Sequence, residues 1–182
     1  MKCIIALIGK SGSGKSTLAE ALSVRYGLKI VRSYTDRPCR GSSDRDHIFL
    51  SPSEYDSIPT NQKVAETTFA NHRYCATIDQ VESCDIYIID PTGYAELLRR
   101  YNGTKQIVPV YLDVPEDIRL QRMLKRGDSK EQALKRIYHD ASAFQSVYDI
   151  PGIIIIDGTQ PLTEVYEQTK EKSDRRASHL RH

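Results

Sequence analysis

Residues 9–17 read Gly9-Lys10-Ser11-Gly12-Ser13-Gly14-Lys15-Ser16-Thr17, a full G-x-x-x-x-G-K-S match directly behind the apolar run Cys3-Ile4-Ile5-Ala6-Leu7-Ile8. The motif works only where a strand feeds a glycine-rich turn that opens a helix, and the pattern here supplies that setting. Glycines let backbone N–H groups turn inward around a phosphate, and the N-terminus of the next helix adds partial positive charge. Lys15 is positioned to reach the β- and γ-phosphates of a nucleoside triphosphate, and Ser16 to offer its hydroxyl to Mg²⁺. Leu18, Leu22 and Val24 are expected to form the apolar face that anchors the helix. All of Gly9–Thr17 is therefore a candidate triphosphate site.

The remaining chain alternates strands and helices. Lys2–Ile8 is read as a strand, Lys15–Tyr26 as a helix and Leu28–Arg32 as a short extended segment. Asp85–Asp90, Gln106–Leu112 and Ile153–Ile156 are further apolar runs. Tyr94–Tyr101, Pro115–Arg126, Lys130–Tyr148 and Pro161–Lys172 carry helical patterns between them. Continuous β-branched runs separated by helices are what a parallel sheet covered on both faces produces, so the expected class is a three-layer α/β P-loop core. Residues 33–80 are polar with no long helical period, which makes them an insertion outside that sheet. The expected division is a single domain over 1–172, with the core at 1–32 and 81–172, the insertion at 33–80, a lid at about 119–136 and a basic tail over 173–182. The tail is expected to be solvated and frayed, its region from Lys170 onward holding five basic against two acidic residues.

Composition narrows the function classes. A net charge of +2 argues against a general nucleic-acid binder. No apolar stretch reaches the roughly 18–20 residues of a membrane span, and the first residues do not read as a secretory signal. Four cysteines, Cys3, Cys39, Cys75 and Cys84, lack C-x-x-C spacing and read as reduced thiols, so a cytoplasmic location is expected.

Within the insertion, Arg37-Pro38-Cys39-Arg40 sets two guanidinium groups three residues apart on a proline-stiffened chain, suited to forked contact with a second phosphate. Further on, Arg119, Arg122 and Arg126 are spaced to share one helical face, with Arg136 on the next helix and Gly127-Asp128 breaking the two. Such arginines are either a mobile lid or a solvated basic face.

In order and spacing, these pieces resemble the guanylate kinase family. The matching segments are Gly9–Thr17, Ser33 with Thr35, Arg37-Pro38-Cys39-Arg40, Asp46-His47-Ile48-Phe49, Val64-Ala65-Glu66, Tyr74-Cys75-Ala76-Thr77, Ile89-Asp90-Pro91-Thr92-Gly93 and Arg122–Gly127. The resemblance implies a nucleoside monophosphate kinase that transfers the ATP γ-phosphoryl group to GMP or dGMP, with Mg²⁺ accompanying ATP. It implies that Arg37, Arg40 and Tyr74 hold the acceptor phosphate, with His47 and Thr77 as further acceptor-site residues. It also implies that Ser33 and Glu66 face the base, where one carboxylate accepts from the adjacent N1–H and NH₂ of guanine. Lys15, Arg122, Arg126 and Arg136 are the implied catalytic cations over the phosphates. Asp90 is open between ordering the Mg²⁺ water shell, meeting the base and capping the helix after Pro91.

The chain departs from the family pattern at several points. His47 replaces the tyrosine of D-Y-x-F, Ala76 the serine of Y-G-S, Gly41-Ser42 the usual G-E, Ile88 a frequent aspartate, and Asp157-Gly158 the N-D near the adenine. Other acceptors therefore stay open, among them another nucleoside monophosphate or ribose 1,5-bisphosphate, as does a non-catalytic protein-binding module of the same fold. ATP and the acceptor are the expected partners, with no nucleic acid or membrane, and the expected state is monomer or homodimer.

Overall fold

Buried parallel strands read as unbroken apolar runs because both sheet faces are covered. The computed structural model, which describes residues 3–39, 47–69 and 71–179, has β1 (Cys3–Ile8) buried along its whole length. Alternate residues of β1 serve two cores. Ile4, Ala6 and Ile8 join one apolar cluster, while Cys3, Ile5 and Leu7 join another that includes Leu18 and Leu22 of α1 (Lys15–Tyr26). Val24, expected on that face, is 88% exposed, and Ala19 takes its place. At 100° per residue, position 24 lies well off the arc spanned by 18, 19 and 22.

A second sheet follows. β2 (Ser33–Thr35) pairs in parallel with β3 (His47–Phe49), and the next element is the short helix α2 (Pro52–Ser57). The hairpin strands β4 (Lys63–Phe69) and β5 (His72–Thr77) complete a mixed sheet of order β3-β2-β5-β4. The expected insertion therefore has a sheet of its own, too short-stranded to give a long period. Helix α3 (Ile78–Ser83) leads back to β6 (Ile86–Ile88), and α4 (Pro91–Arg100) packs on β4 while contributing Tyr94 and Leu97 to the first core cluster.

β7 (Gln106–Asp113), α5 (Glu116–Lys125), α6 (Lys130–Ala143), β8 (Ile154–Asp157) and α7 (Leu162–His179) complete the chain. The core sheet has the order β6-β1-β7-β8, all parallel, and Ile30 bridges Ile86 at its edge. This is the α/β P-loop architecture expected.

Two helix boundaries differ from expectation. α6 stops at Ala143 rather than Tyr148, because the chain turns there to bury Phe144 and Val147 in the first core cluster. α7 runs on to His179, so residues 173–179 of the stretch expected to fray are helical. Ser173 and Ala177 are buried under it, and its charges pair along the helix as Lys170–Asp174 and Glu171–Arg175. Such i,i+4 pairs support a helix that a simple charge count reads as a solvated tail.

Candidate active site

The loop between β1 and α1 is built for close approach. Gly12 and Gly14 adopt φ of +77° and +98°, which side chains with a Cβ rarely tolerate. α1 starts at Gly14 with no side-chain cap and no acidic residue in its first turn, whereas Ser51, Thr77, Asp90 and Ser129 cap four other helices. The N–H groups at its start are thus left for a ligand. Beneath the loop, Lys15 Nζ donates to the Gly9 carbonyl at 2.5 Å and the Lys10 carbonyl at 3.1 Å. Its enclosure pushes the ammonium pKa down to about 8; the Asp140 carboxylate opposes the shift and the Arg126 and Arg119 cations add to it.

Ser11, Gly12, Ser13, Gly14, Lys15, Ser16 and Thr17 line a cavity of about 680 Å³. Gly9 and Lys10 serve it from below through their carbonyls. Arg122, Arg126 and Arg136, the three arginines expected to close over phosphates, line it too. Arg122 clamps two loops, donating to the carbonyls of Ser13 and Gly158 at 2.9 Å each. Arg126 rests on Asp128 at 2.7 Å, with Arg136 at 3.9 Å from the same oxygen. The bonded Arg126 guanidinium holds the Asp128 carboxyl below its ordinary range. Arg119 shares the stripe of Arg122 and Arg126 but does not reach the cavity: it is 3% exposed and donates to the Ser11 carbonyl. Helical spacing aligned Arg119, Arg122 and Arg126 without indicating how far each lies from the core.

A second cavity, of about 240 Å³, adjoins the first, and both are lined by Ser16 and Ile88. Its other polar walls are Glu20, Arg32, Ser33 and His47. Ser33 and His47 face each other across the β2–β3 register, with Ser33 Oγ 2.8 Å from His47 Nδ1. Tyr74 meets the His47 ring edge-on at a centroid separation of 5.4 Å.

Other expected acceptor-site residues are placed differently. Arg37 is buried with its guanidinium 5.1 Å above the Phe49 ring and bonded to the Pro38 carbonyl. Glu66 lies at an irregularity of β4, next to Ala65 with φ +52°. Its carboxylate faces Tyr55 Oη at 3.4 Å, Arg100 at 3.5 Å and Lys63 at 3.8 Å rather than the cavity. Thr77 caps α3, accepting from the Gln80 N–H. Asp90 caps α4 through the Gly93 N–H at 2.7 Å, the local role open to it from sequence. Arg40, like Asp46, lies outside the described residues. Among the described residues no cluster of three or more metal-ligating side chains occurs, and no helix is long and apolar enough to cross a membrane. Ser16 has an exposed hydroxyl between the cavities, which fits a magnesium ion held mainly by phosphates and water.

Sequence reasoning missed Glu20 and Arg32. Glu20 lies four residues after Ser16 on the same helix face, and that spacing is the signal that could have found it.

The strand–loop–helix with its convergent arginines defines a P-loop protein with a kinase-like fold. The chain belongs to the AAA domain family, whose sequence profile matches residues 5–145. No curated protein matches it in sequence. Among solved structures it is similar to a guanylate kinase from Anaplasma phagocytophilum, at 12% identity and a TM-score of 0.59 over 97% of this chain and 88% of that one. It is also similar to a gluconokinase from Sinorhizobium meliloti 1021, at 16% identity and TM-score 0.59 over 98% and 95% of the two chains. A sugar kinase from Janibacter sp. HTCC2649 aligns at 19% identity and TM-score 0.61 over 96% and 95%. At these identities the likeness is one of fold, and it spans kinases with different acceptors.

Proposed function

We propose that this protein is an ATP-dependent phosphotransferase whose acceptor is GMP or dGMP. The observation that supports it best is the pair of adjoining cavities sharing Ser16 and Ile88, one walled by the P-loop and three arginines, the other by Ser33 and His47. Two substrates seated there meet at Ser16, the arrangement that phosphoryl transfer by direct in-line attack needs. An oxygen of the acceptor phosphate forms the new bond to the γ-phosphorus as the bond to ADP breaks, with no covalent enzyme intermediate. Lys15 neutralises the β- and γ-phosphates, while Arg122, Arg126 and Arg136 meet the charge on the equatorial oxygens. When bound, Mg²⁺ would be held by Ser16 and the phosphates, with Asp90 available to order its waters, and would supply further charge neutralisation. Ser33 and His47, with Tyr74 packed against the His47 ring, orient the acceptor.

A second reading keeps the reaction and changes the acceptor to another nucleoside monophosphate or ribose 1,5-bisphosphate. It is favoured by the engagement of Glu66 with Lys63, Arg100 and Tyr55 away from the second cavity. The deciding experiment is ADP formation from Mg-ATP with GMP, dGMP, AMP, CMP, UMP, dTMP and ribose 1,5-bisphosphate in parallel. Turnover confined to GMP and dGMP supports the first reading, and turnover with another acceptor supports the second. Mg-ATP binding without turnover on any of them overturns both in favour of a binding module.

A further inference from the structure

We propose that Asp140 and Arg119 are a positioning pair that sets the conformation of the phosphate-binding loop from outside the cavity, tying helix α6 to it. The proposal builds on the phosphate-binding role assigned above and adds residues that line neither cavity. Asp140 is 5% exposed, and a buried carboxylate requires donors. It finds one across 129 positions of sequence: the Ser11 N–H donates to its Oδ2 at 2.6 Å. Arg119 Nη1 approaches the same oxygen at 3.6 Å and donates to the Ser11 carbonyl at 3.3 Å, while its Nε donates to the Val114 carbonyl at 3.1 Å. Both backbone polar groups of Ser11 are thus held from behind.

Peptide planarity carries this grip into the site. No described peptide bond is cis, so the C=O and N–H of each unit point opposite ways. In the unit joining Lys10 to Ser11, the N–H turned outward to Asp140 directs the Lys10 carbonyl to the other side, where it accepts from Lys15 Nζ. In the unit joining Ser11 to Gly12, the carbonyl turned outward to Arg119 directs the Gly12 N–H toward the cavity that Gly12 lines. Gly12 itself rests on α5, where an added Cβ would stand 2.6 Å from the Arg119 carbonyl oxygen. One pair of side chains therefore fixes the carbonyl that holds the catalytic lysine and a donor for phosphate. Asp140 also lies one turn beyond Arg136 on α6, so displacement of that helix moves a cavity arginine and the loop's support together.

Charge balance alone would not need this geometry, since an apolar pair commonly replaces a buried ion pair without loss of stability. Direction is what such a replacement lacks, and the test uses that difference. Mg-ATP affinity is measured by calorimetry, and melting temperature by circular dichroism, for wild type, Asp140→Asn and the double variant Asp140→Leu with Arg119→Met. We expect Asp140→Asn to weaken Mg-ATP binding by about tenfold, the scale of a lost charged hydrogen bond, and to lower the melting temperature. The double variant is expected to regain most of the melting temperature while its affinity stays about tenfold weak. Recovery of wild-type affinity in the double variant, or an affinity within about twofold of wild type in Asp140→Asn, overturns the proposal. Should Asp140→Asn fail to fold, the double variant decides alone. The affinity readout needs no acceptor, so wild-type protein that binds Mg-ATP but phosphorylates nothing overturns the phosphotransferase reading and leaves this test in force.

Discussion

Triphosphate binding should draw a proton onto Lys15. The enclosed ammonium of the free protein titrates at about 8 instead of 10.5, because burial disfavours its charge. Phosphate oxygens beside Nζ restore the charged form and return the pKa to at least its ordinary value. At pH 7 the free lysine is already about nine-tenths charged, so binding takes up only about a tenth of a proton. At pH 8 the uptake rises to about one half, and at pH 9 to about nine-tenths, with affinity about tenfold weaker at pH 9 than at pH 7. Calorimetry at pH 8 in buffers of different ionisation enthalpy reads the uptake as the slope of observed against buffer enthalpy. Lys15→Met should abolish the uptake along with most of the affinity. It should also stabilise the free protein below pH 8, by at most about 3 kcal/mol. The folded lysine's depressed pKa makes its charge a cost at neutral pH that fades as pH rises from about 8 through 10.5. A slope of zero for wild type at pH 8, or a lower melting temperature for Lys15→Met at pH 7, would refute the reasoning.

Two further outcomes follow from the site's geometry. Gly12→Ala places a methyl carbon 2.6 Å from the Arg119 carbonyl oxygen at φ +77°, so it should destabilise the fold by about 1–3 kcal/mol and weaken Mg-ATP binding, read by thermal melting and calorimetry. Glu66→Gln removes the partner of Lys63 and Arg100 outside both cavities, so the Michaelis constants for GMP and ATP should both stay within about twofold of wild type in steady-state kinetics, and a rise confined to GMP would bring Glu66 into acceptor recognition.

Features encoded within a few residues were legible before any coordinates. The P-loop needs only a strand, glycines and a helix start in register, and the apolar runs at 3–8, 106–112 and 153–156 announce a covered parallel sheet through composition alone. Asp90 before Pro91 is a local cap, and its geometry follows from local chain direction. The misreadings all concern direction relative to a core that periodicity does not locate. Arg119, Arg122 and Arg126 fall on one stripe, yet the first is buried behind the loop and the other two line the cavity. Val24 is apolar but stands a third to nearly half a turn from its supposed partners, and α7 continues because Ser173 and Ala177 find a covered surface far back in the chain. Asp140 has no local signature at all, its partner Ser11 being brought to it by the packing of α5 and α6 beside the loop. Glu66 illustrates a third limit, where a β-irregularity at Ala65 and a long-range neighbour, Arg100, decide which way a carboxylate turns.

The two cavities share Ser16 and Ile88 in their linings. Two ligands there lie within the reach of a short covalent tether, and joining them turns the second binding event into an intramolecular one at high effective concentration. On the proposed phosphotransfer reading, a single molecule carrying a donor-like and an acceptor-like half, linked by a phosphate chain running past Ser16, is therefore the inhibitor design this architecture invites. The chain length at which its affinity peaks would serve as a ruler for the distance between the two seats.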